Sequence, residues 1–343
     1  MSSRVEYIKR RTFVGRMAAV LAPCAGGALA PSAWAADPVY PARPIKLVLP
    51  FAAGSTADVV ARLFGERLGA RLGQPVIVEY KSGAGGVIGV DFVAKAPPDG
   101  YTLLLTTSST VVINPSLYKK LPHDIDRDLA PVAILGSLPG FLVATPSLPV
   151  NNVAELVRYA RMNPGKLSYA SNGIGSFAHV AMELLKHSTG MEIEHIPYRG
   201  GSSADSDLLA GIVQLMFNSV AAASPLVASG RLKALAVSSA QRSRFVPSVP
   251  GMGESGLPEL KNYDVTYWVG ILAPAGTPPA IVRALNAEAN AWLMTADATE
   301  KLSARKILPS PPTAPNDVAK QIRRETLYWA KVLKDAKVEL QSF

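Results

Sequence analysis

The chain has 343 residues, of which 48% are hydrophobic and 18% charged, enough apolar material for about two folded domains and too much for intrinsic disorder. No apolar run reaches the roughly 20 uninterrupted residues of a membrane span, which excludes a multi-spanning membrane protein. Of the net charge of +9, four units sit in residues 1–35 (Arg4, Lys9, Arg10, Arg11 and Arg16 against Glu6), and the rest forms no basic cluster interleaved with aromatics, so nucleic acid is not expected as a partner.

Residues 1–35 read as a signal peptide. A basic start, Lys9-Arg10-Arg11, precedes a mildly apolar run from Met17 to Ala30 and the small-x-small site Ala33-Trp34-Ala35. That order predicts cleavage after Ala35 and a periplasmic mature protein. Arg10-Arg11-Thr12-Phe13 also fits the twin-arginine pattern, with Gly15 where a lysine is common, so twin-arginine and general export are both compatible. Lipoprotein processing at Cys24 is disfavoured by the adjacent Pro23. Cleavage removes Cys24, the one cysteine, and with it disulfides, thiolate nucleophiles and cysteine metal sites. An exported chain of this size can be stable without disulfides.

The body alternates strands and helices. Ile45 to Pro50 is a strand, Gly54-Ser55-Thr56 a turn and N-cap, and Val59, Val60, Leu63, Phe64, Leu68 and Leu72 share one helical face closed by Gly73. Val76-Ile77-Val78 is a second strand, Gly83-Ala84-Gly85-Gly86 leads into a short helix through Ala94, and Tyr101 to Leu105 is a third strand after the turn Pro97-Pro98-Asp99-Gly100. This β-α-β-α-β order predicts a mostly parallel sheet covered by helices on both faces. The pattern restarts near residue 140 with strand Phe141–Ala144, helix Val153–Arg161, strand Leu167–Ala170, helix Ser176–Ser188 and strand Ile193–Ile196. Leu208-Leu209 lies on a helix before strands Gln214–Phe217 and Leu232–Val237, and Pro247 to Pro258 marks a boundary. Strand Thr266–Leu272 and helices Pro279–Leu293, Asp297–Lys306 and Asp317–Lys334 complete the chain. The expected fold is α/β in two domains: 36–138 with 264–343, and 139–263 inserted between them.

Several chemistries find no support. His179 and His187 are eight apart and so not the four-apart pair of a zinc helix. Asp124-Ile125-Asp126-Arg127-Asp128 begins like a calcium loop, but Leu129 and Leu135 occupy the positions that need Gly and Glu, which leaves a solvated acidic turn. No Gly-x-Ser-x-Gly elbow or Walker loop occurs. Gly83-Ala84-Gly85-Gly86-Val87-Ile88-Gly89 has the wrong spacing and strand for a dinucleotide fingerprint. No nucleophile and base are assembled, so no enzyme, cofactor or metal is expected.

Four strand ends instead carry small polar residues and glycine at a helix start: Gly54-Ser55-Thr56, Gly83 to Gly86, Thr106-Thr107-Ser108-Ser109, and Ser171-Asn172-Gly173-Ile174-Gly175-Ser176. Ligands of open α/β sheets bind beyond the carboxyl ends of strands, where helix N-termini present free N–H groups that favour anions. Two such units joined by two crossings make a hinged clamp.

These residues also carry a family resemblance. Tyr40-Pro41-Ala42-Arg43-Pro44-Ile45-Lys46-Leu47-Val48-Leu49-Pro50-Phe51 resembles the mature start of the Bug (TctC-like) family, the periplasmic substrate receptors of tripartite tricarboxylate transporters. Gly83-Ala84-Gly85-Gly86, Pro98-Asp99-Gly100-Tyr101-Thr102, Asn114-Pro115-Ser116-Leu117-Tyr118, Pro164-Gly165-Lys166-Leu167, Ile196-Pro197-Tyr198-Arg199-Gly200 and Leu272-Ala273-Pro274-Ala275-Gly276-Thr277-Pro278 match it in order. The resemblance implies a two-domain, type II flytrap-like periplasmic-binding-protein fold without catalysis, a monomer that binds a small organic acid (a di- or tricarboxylate, acidic amino acid or aromatic acid) and delivers it to inner-membrane permease subunits. Its implied site residues are Phe51, Ala53, Ser55, Asp58, Gly83, Ala84, Gly85, Gly86, Thr107, Ser108 and Ser109 in the first domain, and Ser171, Ser176, His179, Tyr198, Arg199, Gly200 and Asn218 in the second.

The chain departs from the family at Ala53-Gly54-Ser55, where Pro-Gly-Gly is usual, at Tyr80-Lys81-Ser82-Gly83, where Asn-Arg-Pro-Gly is usual, and at Asn218, where an acidic residue is common. Asp58 one turn into its helix suits either the helix dipole or the ligand. His179 suits either a helix surface or the cleft, Arg199 beside Gly200-Gly201 is read as a cleft cation, and Tyr267 and Trp268 as packing at the crossing. A ligand-presenting sensor subunit and an exported α/β hydrolase are the alternative functions.

Overall fold

The computed structural model describes residues 40–198 and 201–342. The expected signal peptide and cleavage site, and Arg199 and Gly200, lie outside the described residues.

The chain opens β1(Ile45–Leu49), α1(Thr56–Leu72), β2(Val76–Tyr80), α2(Val87–Ala94) and β3(Thr102–Thr107), followed by the four-residue helices α3(Asn114–Leu117) and α4(Ile125–Asp128). It continues through β4(Leu129–Ala144), α5(Val153–Met162), β5(Leu167–Ser171), α6(Phe177–Thr189), β6(Ile193–Pro197), α7(Gly201–Ala210), β7(Leu215–Ser219), α8(Val220–Ala228) and β8(Lys233–Val237). β9(Thr266–Pro274), α9(Pro279–Leu293), α10(Ala296–Ala304), β10(Leu308–Pro309) and α11(Pro315–Asp335) end it. Local chemistry places these elements where the sequence does. Ser55 caps α1, Val60, Phe64 and Leu68 on its predicted face are buried, and Gly73 ends it in the left-handed region at φ 69°.

The strands form one path, β2-β1-β3-β9-β4-β7-β5-β6, with β8 and β10 also paired to β4. β1 is parallel to β2 and β3, and β5 is parallel to β6 and β7, as two β-α-β units require. The strands that join them are antiparallel. Residues 129–139 of β4 pair with β9, and residues 140–144 pair with β7 and β8. One strand therefore belongs to both halves of the sheet. Expectation gave only Phe141–Ala144 as strand; Pro131, Gly136, Pro139 and Gly140 read as breaks, yet β4 carries them through with register shifts at Pro131/Ala133 and Ile134/Gly136. Helix α8 was also not anticipated, since Pro225 lies inside it.

Side chains alternate across the sheet and divide the core. Leu47, Leu49, Leu103 and Leu105 face α1 and α9, packing with Phe64, Leu68 and Trp292. Val48 and Leu104 face the other way, into a cluster that continues through Leu142, Tyr169, Leu184 and Trp268 to Trp329 of α11. Phe141 and Val143 join a third cluster with Met216 and Leu208. The second cluster draws residues from both halves, so they share apolar packing as well as a strand.

Ser238 ties the crossing. It is fully buried; its Oγ accepts from the Gly140 N–H at 2.7 Å and donates to the Val265 carbonyl, while its own N–H donates to the Gly140 carbonyl and its carbonyl accepts from Val265. Replacing it leaves a buried donor and acceptor unpaired. Ser238→Ala is expected to cost about 1–3 kcal/mol in urea unfolding; a cost indistinguishable from zero would show that the crossing does not depend on this hydroxyl.

Candidate functional site

On the first half, three turns converge at the carboxyl ends of β1, β2 and β3. Ser55 Oγ accepts from the Asp58 N–H at 3.2 Å, and Asp58 Oδ2 accepts from the Gly54 N–H at 2.8 Å, a reciprocal cap at the start of α1. Asp58 is buried and its other oxygen accepts from the Tyr80 hydroxyl at 2.8 Å and from Arg62 Nε at 3.1 Å. Burial alone would raise its pKa, but the Gly54 amide, Tyr80 and Arg62 outweigh it and hold the carboxyl below the usual range. Both carboxylate oxygens thus have protein partners, and their work is to lock the β1–α1 turn to the end of β2. Ala53 is exposed, and Phe51 is half-buried against the core of α1 and α9.

The glycine-rich turn is left-handed throughout: Gly83, Ala84, Gly85 and Gly86 have φ of 134°, 47°, 61° and 93°. The Gly86 N–H donates to the Gly83 carbonyl at 2.9 Å and closes the turn, so an anion seated here would meet the N–H groups that precede Gly86. α3 holds the turn from behind, with Asn114 Nδ2 donating to the Gly85 carbonyl at 3.1 Å and the Tyr118 hydroxyl to that of Ala84 at 3.3 Å. Thr107 ends β3 half-buried and Ser109 is half-buried beside it. Ser108 is buried and its Oγ accepts from the Trp268 N–H at 3.2 Å, joining this turn to β9.

On the second half, the β5–α6 turn is the organising element. Ser176 caps α6, accepting from the His179 N–H at 3.4 Å. His179 Nδ1 accepts from the Gly175 N–H at 3.2 Å, which fixes its neutral tautomer with the proton on Nε2. Parallel register sets Tyr169 beside His195, and the three rings stack, Tyr169 on His195 at 4.7 Å and His195 on His179 at 4.3 Å. Tyr169 donates to Glu183, as does Lys186, which also lies over the Tyr169 ring. Ser171 Oγ lies 2.7 Å from His195 Nε2. This corrects the expectation that no serine meets a base; tertiary packing brings together residues 24 apart. Ser171 is fully buried, so the pair is a hydrogen bond inside a packed wall rather than an exposed nucleophile.

Tyr198 donates to Asp207 at 2.6 Å, and Asn218 Nδ2 donates to Asp205 at 2.6 Å. Burial raises the pKa of one group in each pair: the Tyr198 hydroxyl is pushed up to about 12, with Asp207 adding to the effect, and the Asp205 carboxyl rises despite the Asn218 bond.

The halves meet at Tyr267 of β9. Its hydroxyl interacts with Thr56, the first residue of α1, and its ring lies 4.9 Å from that of Phe177, the first residue of α6. The N-termini of α1 and α6 therefore flank one aromatic side chain, and Tyr267 packs at the crossing as its position in the sequence suggests. Two surface depressions of about 440 and 330 Å³ are lined by other residues, around Arg242 and Arg244 and around His123. Among the described residues no group of three or more His, Cys, Asp or Glu side chains is placed to hold a metal. Sequence reasoning missed Tyr80, Asn114 and His195. Asn114 stands in a motif quoted for the family resemblance, whereas the role of His195 exists only in the folded stack.

Fold and site describe a two-domain periplasmic solute-binding protein of α/β architecture. Comparison with known proteins agrees. Residues 60–337 match the family model of the tripartite tricarboxylate transporter family receptor. Protein BugT of Bordetella pertussis is 38% identical over 306 residues, 88% of this chain and 92% of BugT. Among solved structures, Rpa4515 of R. palustris with adipate superposes with TM-score 0.81 at 35% identity, covering 88% of this chain and all of that one. MatC of Rhodopseudomonas palustris with bound malate gives 0.77 at 33%, covering 86% and all of it. The chain belongs to the tripartite tricarboxylate transporter receptor family, whose members are periplasmic solute-binding proteins rather than enzymes. No described helix is long and apolar enough to cross a membrane.

The stacked imidazoles give a test of the second half. Burial pushes both His179 and His195 down to about 4, the second with help from the first, against an ordinary 6.5. Between those values the unfolded chain binds protons that the folded one refuses, so stability is full above pH 6.5 and falls as pH drops toward 4. Imidazole NMR titration should give midpoints near 4 for both rings; midpoints near 6.5 would contradict the stack.

Proposed function

We propose that this receptor encloses a small carboxylate between residues 36–138 with 264–343 and residues 139–263, and delivers it, as a monomer, to the inner-membrane permease of a tripartite tricarboxylate transporter. The observation that carries the reading is that two capped helix N-termini, α1 at Ser55 and α6 at Ser176, both lie beside Tyr267. Each presents N–H groups and the positive end of a helix dipole, and each favours a carboxylate oxygen. The left-handed Gly83–Gly86 turn adds amides on the first side. On the second, Arg199 supplies positive charge, beside Gly200 and Tyr198, with Asn218 as a neutral hydrogen-bonding partner. Phe51, Ala53, Thr107, Ser108, Ser109, Ser171 and His179 complete the walls and the turns that shape them. The carboxylates seen with related proteins, adipate and malate, fit this chemistry. An N-terminal signal peptide of residues 1–35 delivers the chain to the periplasm.

A thermal-shift screen tests the ligand class, because a ligand that binds only the native state raises the melting temperature. Adipate, L-malate, citrate, glutamate or benzoate should include at least one stabilising acid. Stabilisation by uncharged sugars or metal cations alone would reject the reading. Arg199→Ala should weaken binding of the stabilising acid by about 1.5–3 kcal/mol, the range for a hydrogen bond to a charged group.

A further inference from the structure

Both glycine-bearing turns of the site rest on the same short helix, α3. From the first half, Asn114 and Tyr118 hold the Gly83–Gly86 turn by its carbonyls. From the second half, Gly175 presses on Asn114 and Leu117: a Cβ added to Gly175 would lie 2.5 Å from Leu117 Cδ2 and 3.2 Å from Asn114 Oδ1. Gly175 also has φ +79°. The Gly175 turn thus meets α3, which holds the other turn, with no room for a methyl group between Gly175 and Leu117.

Neither side of this contact can yield cheaply. Leu117 is fully buried in the core cluster that crosses both halves, and its carbonyl accepts from the Gln341 N–H at 2.8 Å. Asn114 is buried and bonded to Gly85. Across the gap, Gly175 donates to His179 Nδ1, and His179 is backed by the His195 and Tyr169 rings. Ser176 N–H donates to the Gly173 carbonyl at 3.2 Å and closes the turn. Two stiff surfaces in contact set a distance, because packed groups resist compression.

We infer that Gly175 is the stop on which the two halves close, its bare Cα seated against Leu117 and Asn114, and that it sets how tightly a carboxylate is enclosed. Gly175 is here a positioning residue. The inference rests on the reading of the cleft as a closing receptor site. A side chain at position 175 holds the halves apart, so the amides of one half no longer reach a ligand seated on the other. Binding that requires simultaneous contact then weakens, since only differential affinity for the closed form drives closure.

Spin labels at Ala70→Cys on α1 and Arg158→Cys on α5, in a Cys24→Ser background of the full chain, report the separation of the halves by pulsed electron–electron resonance with and without adipate or L-malate. Wild type with acid bound is expected to populate the short separation of this structure. Gly175→Ala should shift the distribution to longer distances, and Gly175→Ala with Leu117→Ala should restore it. Gly173→Ala is the control for backbone strain, with φ +106° in the same turn and the Tyr198 carbonyl at 3.6 Å as its neighbour; it should leave the separation of the halves as in wild type. Leu117→Ala alone should shorten the separation, which keeps the test open if Gly175→Ala fails to fold. Affinity for adipate or L-malate should fall about tenfold or more in Gly175→Ala and recover in Gly175→Ala with Leu117→Ala. Coincident distance distributions for wild type, Gly175→Ala and Leu117→Ala, with and without acid, would overturn the stop. A wild type that binds neither acid but shows these shifts would instead count against the carboxylate reading and leave the stop in place.

Discussion

Everything in this molecule hangs on one strand shared by two halves. β4 pairs with β9 up to Pro139 and with β7 and β8 from Gly140, so the chain changes sheets without leaving a strand. Pro139 has no N–H to donate, and Ser238 meets the Gly140 backbone on the far side of that point. The crossing is thereby fixed by hydrogen bonds, while motion between the halves must be absorbed by a few residues near it. Domain closure in clamp-like proteins uses such short segments. The apolar cluster from Val48 to Trp329 limits that motion further, since it draws on both halves.

The site follows from the crossing. Helices α1 and α6 begin where their strands end, and both begin beside Tyr267. Their N-termini need a partner for unbonded N–H groups, and each half supplies part of the answer internally: Ser55 with Asp58, and Ser176 with His179 and Gly175. What the halves offer a ligand is then mostly backbone amide and hydroxyl. Neutral, directional donors of this kind bind a carboxylate without the desolvation cost of burying fixed charges. Asp58 illustrates the economy. Its carboxylate is spent on organising the turn, and its depressed pKa keeps it ionised for that task.

Much of the fold was legible because it is local. The apolar strand Ile45–Leu49, the stripe Val60, Phe64 and Leu68, and the caps Ser55 and Gly73 declare themselves by period and residue type. β4 did not, because its prolines and glycines look like punctuation in one dimension and are tolerated only through register shifts against β9. The proline-bearing α8 was hidden for the same reason, and the π-helical turn Ser109–Ile113 because its β-branched run Thr110–Ile113 disfavours a helix. Of the candidate site, the turns were readable and the contacts between them were not. The place of His195 between Tyr169 and His179 depends on strand register and helix packing that no spacing encodes. Asn114 stood in a recognisable motif, but its bond to Gly85 is 29 residues distant.

The central claim is that one shared strand lets two halves close on a carboxylate. Small-angle X-ray scattering on the full chain, with and without adipate at a concentration shown calorimetrically to saturate it, measures this most directly. The account predicts a smaller radius of gyration in the adipate-bound protein. Superimposable profiles at saturation would mean that the ligand binds without closure, and would contradict it.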